Sequence, residues 1–194
     1  MKVNVQEISG NWNHGYSLDK HTVSSIFIGY DEYNHALFNT IRTELGEALY
    51  QLKYKFDRNQ VDPLAQQIVS SIGKHFQSAS FIVPMPPSKS RAFQPVIEIA
   101  KQVAVLMNIP YIDTMLVKSV SSIQIKNIPL QEDRVKALCS IFKINDQLAE
   151  GKYDVLIIDD LYDTGSSLEA ATATLKQCTK INKVFVVTIT RINQ

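Results

Sequence analysis

The sequence predicts an α/β fold: a parallel, Rossmann-like sheet flanked by helices, with a small β-rich segment at the N-terminus. Three observations lead there. Val155-Leu156-Ile157-Ile158 is apolar at every position, as a strand in the middle of a parallel sheet must be. From Phe81 onward, short apolar runs alternate with stretches of helical spacing, the pattern of helices laid on both sides of such a sheet. A length of 194 residues, 45% of them apolar and 20% charged, suits one domain with a core of its own.

Taken in order, Val3, Val5 and Ile8 lead to Trp12, and Val23-Ser24-Ser25-Ile26-Phe27-Ile28 follows a polar turn at Asp19-Lys20, so the first thirty residues read as short strands. Residues 1–33 are expected to form a small β-rich cap or hood, and 34–194 the α/β domain. Leu37, Phe38, Ile41, Leu45, Ala48, Leu49 and Leu52 recur at three- and four-residue steps and predict a helix of about five turns. A second helix takes Pro63 in its first turn and carries Leu64, Ile68, Val69, Ile72 and Phe76 on one face. Phe81-Ile82-Val83 is a strand stopped by Pro84. Pro95 opens a helix with Val96, Ile99, Ala100, Val103, Leu106 and Met107, closed near Asn108 and Pro110. After the strand at 155–158, Leu168, Ala171 and Leu175 mark another helix, and Val184-Phe185-Val186-Val187-Thr188-Ile189 is the last long strand. Ligands of such sheets bind at the carboxyl ends of the strands, so the chemistry belongs after Val83 and after Ile158.

Composition weighs against several classes. A net charge of +1 gives no electrostatic case for nucleic acid. No run approaches the roughly 20 apolar residues of a membrane-spanning helix, and the alternating N-terminus is not the apolar centre of a signal peptide. The two cysteines, Cys139 and Cys178, have no CxxC spacing and no neighbouring histidine, which suggests neither a zinc ribbon nor a disulfide framework and leaves one bridge between them open. The cytoplasm is the expected compartment. His14, His21, His35 and His75 lack ligand spacing and are expected to be solvated or locally bonded.

The informative loop is 159–167, Asp159-Asp160-Leu161-Tyr162-Asp163-Thr164-Gly165-Ser166-Ser167. A buried strand delivers two adjacent carboxylates, then a turn of small residues, then a helix start. Successive backbone N–H groups at that helix start, with the hydroxyls of Thr164, Ser166 and Ser167, make a phosphate cradle. Gly165 lets the backbone come close to the anion. The paired acids would repel a phosphate and suit two adjacent sugar hydroxyls, with a magnesium ion able to neutralise them. The plainer alternative is that the acids end a strand and a serine caps a helix. The loop is neither a Walker loop nor a dinucleotide fingerprint, because Gly-Lys-Ser/Thr and G-x-G-x-x-G are both absent.

This string resembles the motif with which type I phosphoribosyltransferases bind phosphoribosyl pyrophosphate (PRPP): four hydrophobic residues, two acids, two variable positions, a polar residue, Thr-Gly, a variable residue, then Ser or Thr. The surrounding chain is most similar to the ComF-like branch. Leu52-Lys53-Tyr54-Lys55 resembles its "LKY" helix end, Phe81-Ile82-Val83-Pro84-Met85-Pro86 with Arg91-Ala92-Phe93-Gln94 its "VPVP…RGFNQ" segment, Arg134 and Phe142 its "R…N-x-x-x-x-F" stretch, and Thr190-Arg191 its terminal pair. The resemblance spans roughly 45–191 and is strong only in the PRPP loop. It departs from the branch in three ways: the usual zinc ribbon is replaced by the β-rich segment, the "GFNQ" glycine and asparagine are Ala92 and Gln94, and Asp163 stands where Thr is common.

The resemblance implies the type I phosphoribosyltransferase fold and a magnesium-dependent transfer of 5-phosphoribose from PRPP to a nitrogen nucleophile such as a nucleobase. PRPP would be held by Asp159, Asp160, Asp163, Thr164, Gly165, Ser166 and Ser167, with Asp159 and Asp160 nearest the magnesium. Pyrophosphate would be held by Ser88, Lys89, Ser90 and Arg91, in the loop after Val83 whose charge and hydroxyls suit it; an ordinary solvated turn is the alternative. A cis bond before Pro86 or Pro87 is expected there. The polar segment 118–134, with Gln124, Lys126 and Arg134, sits where the family has a flap that closes over PRPP. Asp163 has two roles open, general base toward a purine ring nitrogen or acceptor for the N–H groups of Gly165 and Ser166. Trp12, Tyr16, Tyr30 and Tyr33 are either base-stacking residues or core. The competing functions are a non-catalytic PRPP- or nucleotide-sensing protein, with the regulatory or DNA-uptake role the ComF resemblance implies, and an interaction protein that has kept only the fold. The intact loop speaks against the last. A homodimer is compatible with the sequence.

Overall fold

Residues 81–84 and 153–162 are the axis of the molecule, because their side chains are apolar on both faces and demand cover on both. The computed structural model of the chain describes residues 1–88, 92–119 and 127–192. In it the five-stranded sheet has the order β1 (Gln6–Glu7), β2 (His14–Lys20), β9 (Ile181–Arg191), β8 (Tyr153–Tyr162), β5 (Phe81–Pro84). The last four strands run parallel; β1 is antiparallel to β2.

Alternation along the strands divides the core in two. Ile82, Leu156, Ile158, Phe185 and Val187 point to the face covered by α1 (Glu44–Tyr54), α2 (Val61–Ile72) and α3 (Pro95–Met107). Phe81, Val83, Val155, Ile157, Val184 and Val186 point to the other face. It is covered by α5 (Ser166–Leu175), by the end of α4 (Gln131–Cys139), and by the small antiparallel pair β6 (Leu116–Lys118) and β7 (Phe142–Ile144). Each of these side chains, fully buried, contributes about 1.5–3 kcal/mol by leaving water. This is the predicted α/β architecture. Pro95 begins α3, and Asn108 ends it in the left-handed region at φ 53°.

The crossovers diverge between β5 and β8. From β5 the chain passes through α3 to Tyr111, which bridges to Ile82 on the outer side of β5, whereas β8 passes through α5 to β9 on the other side. The crevice at the carboxyl ends of β5 and β8 is therefore a topological switch point, the place where open α/β sheets bind ligands.

Several expectations are corrected. The five-turn helix over 37–52 is a strand followed by a shorter helix. Leu37, Phe38 and Ile41 belong to β4 (Ala36–Arg42), which pairs with β3 (Thr22–Tyr30) as a hairpin, and α1 begins only after Thr43, whose hydroxyl accepts from the Gly46 N–H at 3.0 Å. Two apolar faces on β4 mimicked helical spacing. Beyond the hairpin, β2 enters the central sheet beside β9, so the N-terminal segment supplies an inner strand as well as the protruding hairpin. The 33/34 boundary drawn on sequence falls in the turn of that hairpin. Among the described residues every peptide bond is trans, including those before Pro86 and Pro87. Both cysteines are free.

Candidate functional site

β8 outruns β5. β5 ends opposite Ile158, but β9 continues to pair with β8 through Asp159, Leu161 and Tyr162. The two acids therefore stand on a strand that is held on one side and open on the other. Pleating sends them to opposite faces. Asp160 turns toward α1, where the Lys53 ammonium sits 2.7 Å from its carboxylate, both side chains about four-fifths shielded from water (22% and 18% exposed). Asp159 turns to the β6 side, where Lys118 lines the same cleft and, after Lys53, attracts its charge. Thr190 donates to the Asp160 carbonyl at 3.1 Å, and the His21 ring meets the same hydroxyl at 3.1 Å.

These placements set the electrostatics. Burial, then the neighbouring Asp160 charge, pushes the Asp159 carboxyl up from 3.8 to about 8, with Lys53, Lys118 and the Asp160 N–H opposing. Burial lowers Lys118, with Asp159 pulling it back. Burial lowers His21, and the Arg42 and Lys53 charges lower it further. The Asp159 carboxylate is thus under-compensated by protein cations, so the site favours a ligand that brings hydrogen-bond donors or positive charge to it.

Two clefts meet here. One, of about 240 Å³, is lined by Lys53, Met85, Pro86, Pro87, Ser88, Lys118, Asp159, Asp160 and Ser167, among others. The second, about 190 Å³, is lined by Arg134, Leu138, Asp159, Leu161 and the turn 163–168. Asp159 and Ser167 belong to both. In the second cleft Gly165 sits at φ 80°, and a side chain on it would press against the Tyr162 ring. α5 starts at the next residue with no side-chain cap, so its first N–H groups face the cleft as orphan donors. The Thr164 and Ser166 hydroxyls bond each other at 2.9 Å. Arg134 leans in from α4 with a buried Nε that has no hydrogen-bond partner among the described residues.

The predicted loop residues Asp159, Asp160, Asp163, Thr164, Gly165, Ser166 and Ser167 are therefore brought together, and Ser88 faces the first cleft. Lys89, Ser90, Arg91, Gln124 and Lys126 lie outside the described residues. Asp163 is exposed, and since α5 has no side-chain cap, its capping role is set aside. Lys53 and Lys118 had been given no role from sequence; the "LKY" similarity was the signal that could have found Lys53. Trp12 is core, 7% exposed and donating to the Ile8 carbonyl, while Tyr16 is stacked on His75. Tyr30 and Tyr33 are exposed on the hairpin. Among the described residues no three His, Cys, Asp or Glu side chains gather as a metal cage. The carboxylates of Asp159 and Asp160 are the oxygen donors that would hold a magnesium ion, which would supply positive charge beside the under-compensated Asp159.

Sheet order, helix layers and the acidic switch-point crevice define the class at the level of fold, that of the type I phosphoribosyltransferases. Among solved structures, adenine phosphoribosyltransferase from Trypanosoma brucei, in complex with AMP, pyrophosphate and ribose-5-phosphate, is similar with a TM-score of 0.52 at 13% identity, over 98% of this chain and 76% of that one. Adenine phosphoribosyltransferase from Saccharomyces cerevisiae gives 0.46 at 13% identity over 85% and 83% of the two chains. Orotate phosphoribosyltransferase from Aeropyrum pernix gives 0.44 at 10% identity over 86% and 74%. No protein-family model and no curated protein sequence matches the chain. Among the described residues, no helix is long and apolar enough to cross a membrane.

Proposed function

We propose that this protein binds PRPP and transfers its 5-phosphoribosyl group to a ring nitrogen of a nucleobase, releasing pyrophosphate. The observation that carries the proposal is the junction of the two clefts at Asp159 and Ser167. One cleft offers orphan N–H groups and hydroxyls, the other carboxylates and lysines, and PRPP presents a phosphate and a diphosphate on either side of a sugar diol. The N–H groups of 164–167 take the 5′-phosphate, with Arg134 adding charge from α4. Asp159 and Asp160 accept from the two ribose hydroxyls. Lys53 and Lys118 face the diphosphate together with Ser88, and Lys89, Ser90 and Arg91 follow Ser88 in the chain.

In the transfer, the bond from ribose C1 to the diphosphate oxygen breaks and its electron pair leaves with pyrophosphate, while the acceptor nitrogen forms its bond to C1 and gives up its proton. The chain's work is electrostatic: cations hold the departing charge and carboxylates steady a sugar that becomes positive. A magnesium ion, held near Asp159 and Asp160, would supply further charge neutralisation. Asp163, exposed at the rim of the second cleft, is assigned the acceptor's proton. Membership of the ComF-like branch is supported by two of its quoted positions, Lys53 and Arg134, reaching the clefts. Two free cysteines suit the cytoplasm.

Calorimetric titration with PRPP and magnesium, followed by turnover with a panel of bases, tests the proposal. Saturable binding and pyrophosphate release with one base support it. Binding without turnover on any base favours the non-catalytic PRPP-sensing alternative, and no binding refutes both.

A further inference from the structure

His21 stands where β2 of the central sheet hands over to the β3–β4 hairpin, and its backbone is pinned there. Its N–H donates to the Arg191 carbonyl at 2.7 Å, and its own carbonyl lies so close to α1 that a Cβ on Gly46 would run into it. From the other end of the hairpin, the Thr43 hydroxyl donates to the neighbouring Lys20 carbonyl at 2.6 Å. So held, the half-buried ring brings Nδ1 to 3.1 Å from the hydroxyl of Thr190, a fully buried residue of β9. The same hydroxyl lies 3.1 Å from the Asp160 carbonyl. A carbonyl oxygen carries no proton, so the single Thr190 proton is committed to Asp160, and Thr190 Oγ1 can only accept from the ring. Nδ1 therefore bears a hydrogen. Burial, then the Arg42 and Lys53 charges, hold the ring below the ordinary histidine range against the opposing pull of Asp160. The neutral ring that results has Nδ1–H and a bare Nε2.

We propose that His21 is a positioning residue for Asp160: through Nδ1–H and the Thr190 hydroxyl it fixes the peptide at the open end of β8, and so aims the Asp160 carboxylate at the ribose. This rests on the PRPP reading of the site. β8 has run past the end of β5 at this point, and only β9 still pairs with it. The polar groups of the Asp160 backbone are directed by side chains instead: its N–H donates to the Asp159 carboxylate at 2.8 Å, and its carbonyl takes the Thr190 proton. The carboxylate itself has Lys53 at 2.7 Å, a flexible chain that alone would not set its direction. Without the ring's N–H, Thr190 Oγ1 loses the donor that orients it, and its proton is free to leave the Asp160 carbonyl. A ring that only filled space would be replaced by leucine without loss; a ring that works through Nδ1–H would not.

Calorimetric titration of the full chain with PRPP, ribose 5-phosphate and pyrophosphate, each with magnesium, tests this. His21→Leu and Thr190→Val are each expected to weaken both ribose ligands about 5- to 10-fold and to leave pyrophosphate unchanged, whereas a general loosening of the fold would weaken all three. Because the two residues act in one relay, the double variant should bind no worse than either single one. His21→Asn puts an amide N–H where Nδ1 stood and should restore affinity to within about 2-fold; His21→Gln puts its amide at the place of Nε2 and should not. Melting curves confirm that each variant is folded. Ring-nitrogen NMR on the unliganded parent reads the relay without any ligand, and should find Nδ1 protonated and Nε2 bare. The opposite tautomer, unchanged ribose-ligand affinity in His21→Leu, or equal affinity in His21→Asn and His21→Gln would overturn the proposal and leave the PRPP reading standing. A parent that binds no PRPP would remove that reading and the ribose role of His21 with it.

Discussion

Replacing Asp159 by asparagine should make the unliganded protein more stable and its ligand-binding worse. The folded state holds the Asp159 proton to about 8, against 3.8 for an ordinary aspartate, because the carboxyl is buried at the end of β8 beside the Asp160 charge. Between those two values the unfolded chain releases a proton that the folded chain retains. Stability therefore falls as pH rises through that window and levels off above it. Asparagine keeps the shape of the neutral carboxyl and has nothing to titrate. An under-compensated buried charge costs about 1–3 kcal/mol, and for a chain of this size each kcal/mol moves Tm by about 2–4 °C. Melting curves of parent and Asp159→Asn from pH 5 to 9 should lie close together at the acid end and separate toward pH 8, with the variant higher. Saturating magnesium and PRPP should reverse the order, because only the parent gains the full binding energy. A variant that melts lower than the parent at pH 8, or an offset equal at every pH, would refute the burial argument.

Three further outcomes follow from the same geometry. Asp159→Asn with Asp160→Asn removes both ribose acceptors, each worth ~1.5–3 kcal/mol, so PRPP affinity by calorimetry should fall at least about tenfold in a folded protein. Gly165→Val forces a β-branched residue to φ 80° against the Tyr162 ring, and should weaken binding of ribose 5-phosphate more than binding of pyrophosphate, read by competition. Asp163→Asn, with no cap to lose, should leave PRPP affinity intact and lower turnover of a purine acceptor by ~10²-fold or more; equal turnover would remove Asp163 from the chemistry.

Legibility from sequence followed the range of the interactions. The strand at 155–158 could be read because burial on both faces leaves four apolar residues in a row, and α3 because proline opens it and asparagine closes it. The onward run of β8 through Asp159 to Tyr162 could not, since Asp-Asp-Leu-Tyr carries loop chemistry. It is a strand only because Thr188, Thr190 and Arg191 of β9 are opposite to pair with it. The hairpin strand β4 was hidden because its apolar residues fall on both faces, which erases the two-residue period, and Leu45 then continues the spacing into α1. Thr43 followed by Glu44 and Glu47 was the available cap signal. Lys53 lies 107 residues from Asp160 and Arg134 comes from a separate helix, so only the fold could bring them to the loop.

The unequal lengths of β5 and β8 also explain why the site is open where it is. A strand paired on both sides has no free backbone edge or space for a ligand, and one paired on neither side would not hold its side chains still. At Asp159 and Asp160 the β9 ladder fixes the backbone, while the end of β5 at Pro84 leaves the opposite side clear for the 84–88 turn and the first cleft. Pro84 has no N–H to extend a ladder, and the Met85 N–H makes the last contact, to the Ile158 carbonyl at 2.8 Å, before the chain turns away. Pleating then assigns the acids to different partners, Asp160 to Lys53 below α1 and Asp159 to the side of Lys118. The neutralised acid can act as a fixed acceptor, and the under-compensated one is left to seek its partner from the ligand. A single run of two aspartates thus yields two chemically different groups, because the strand that carries them ends its pairing on one side first.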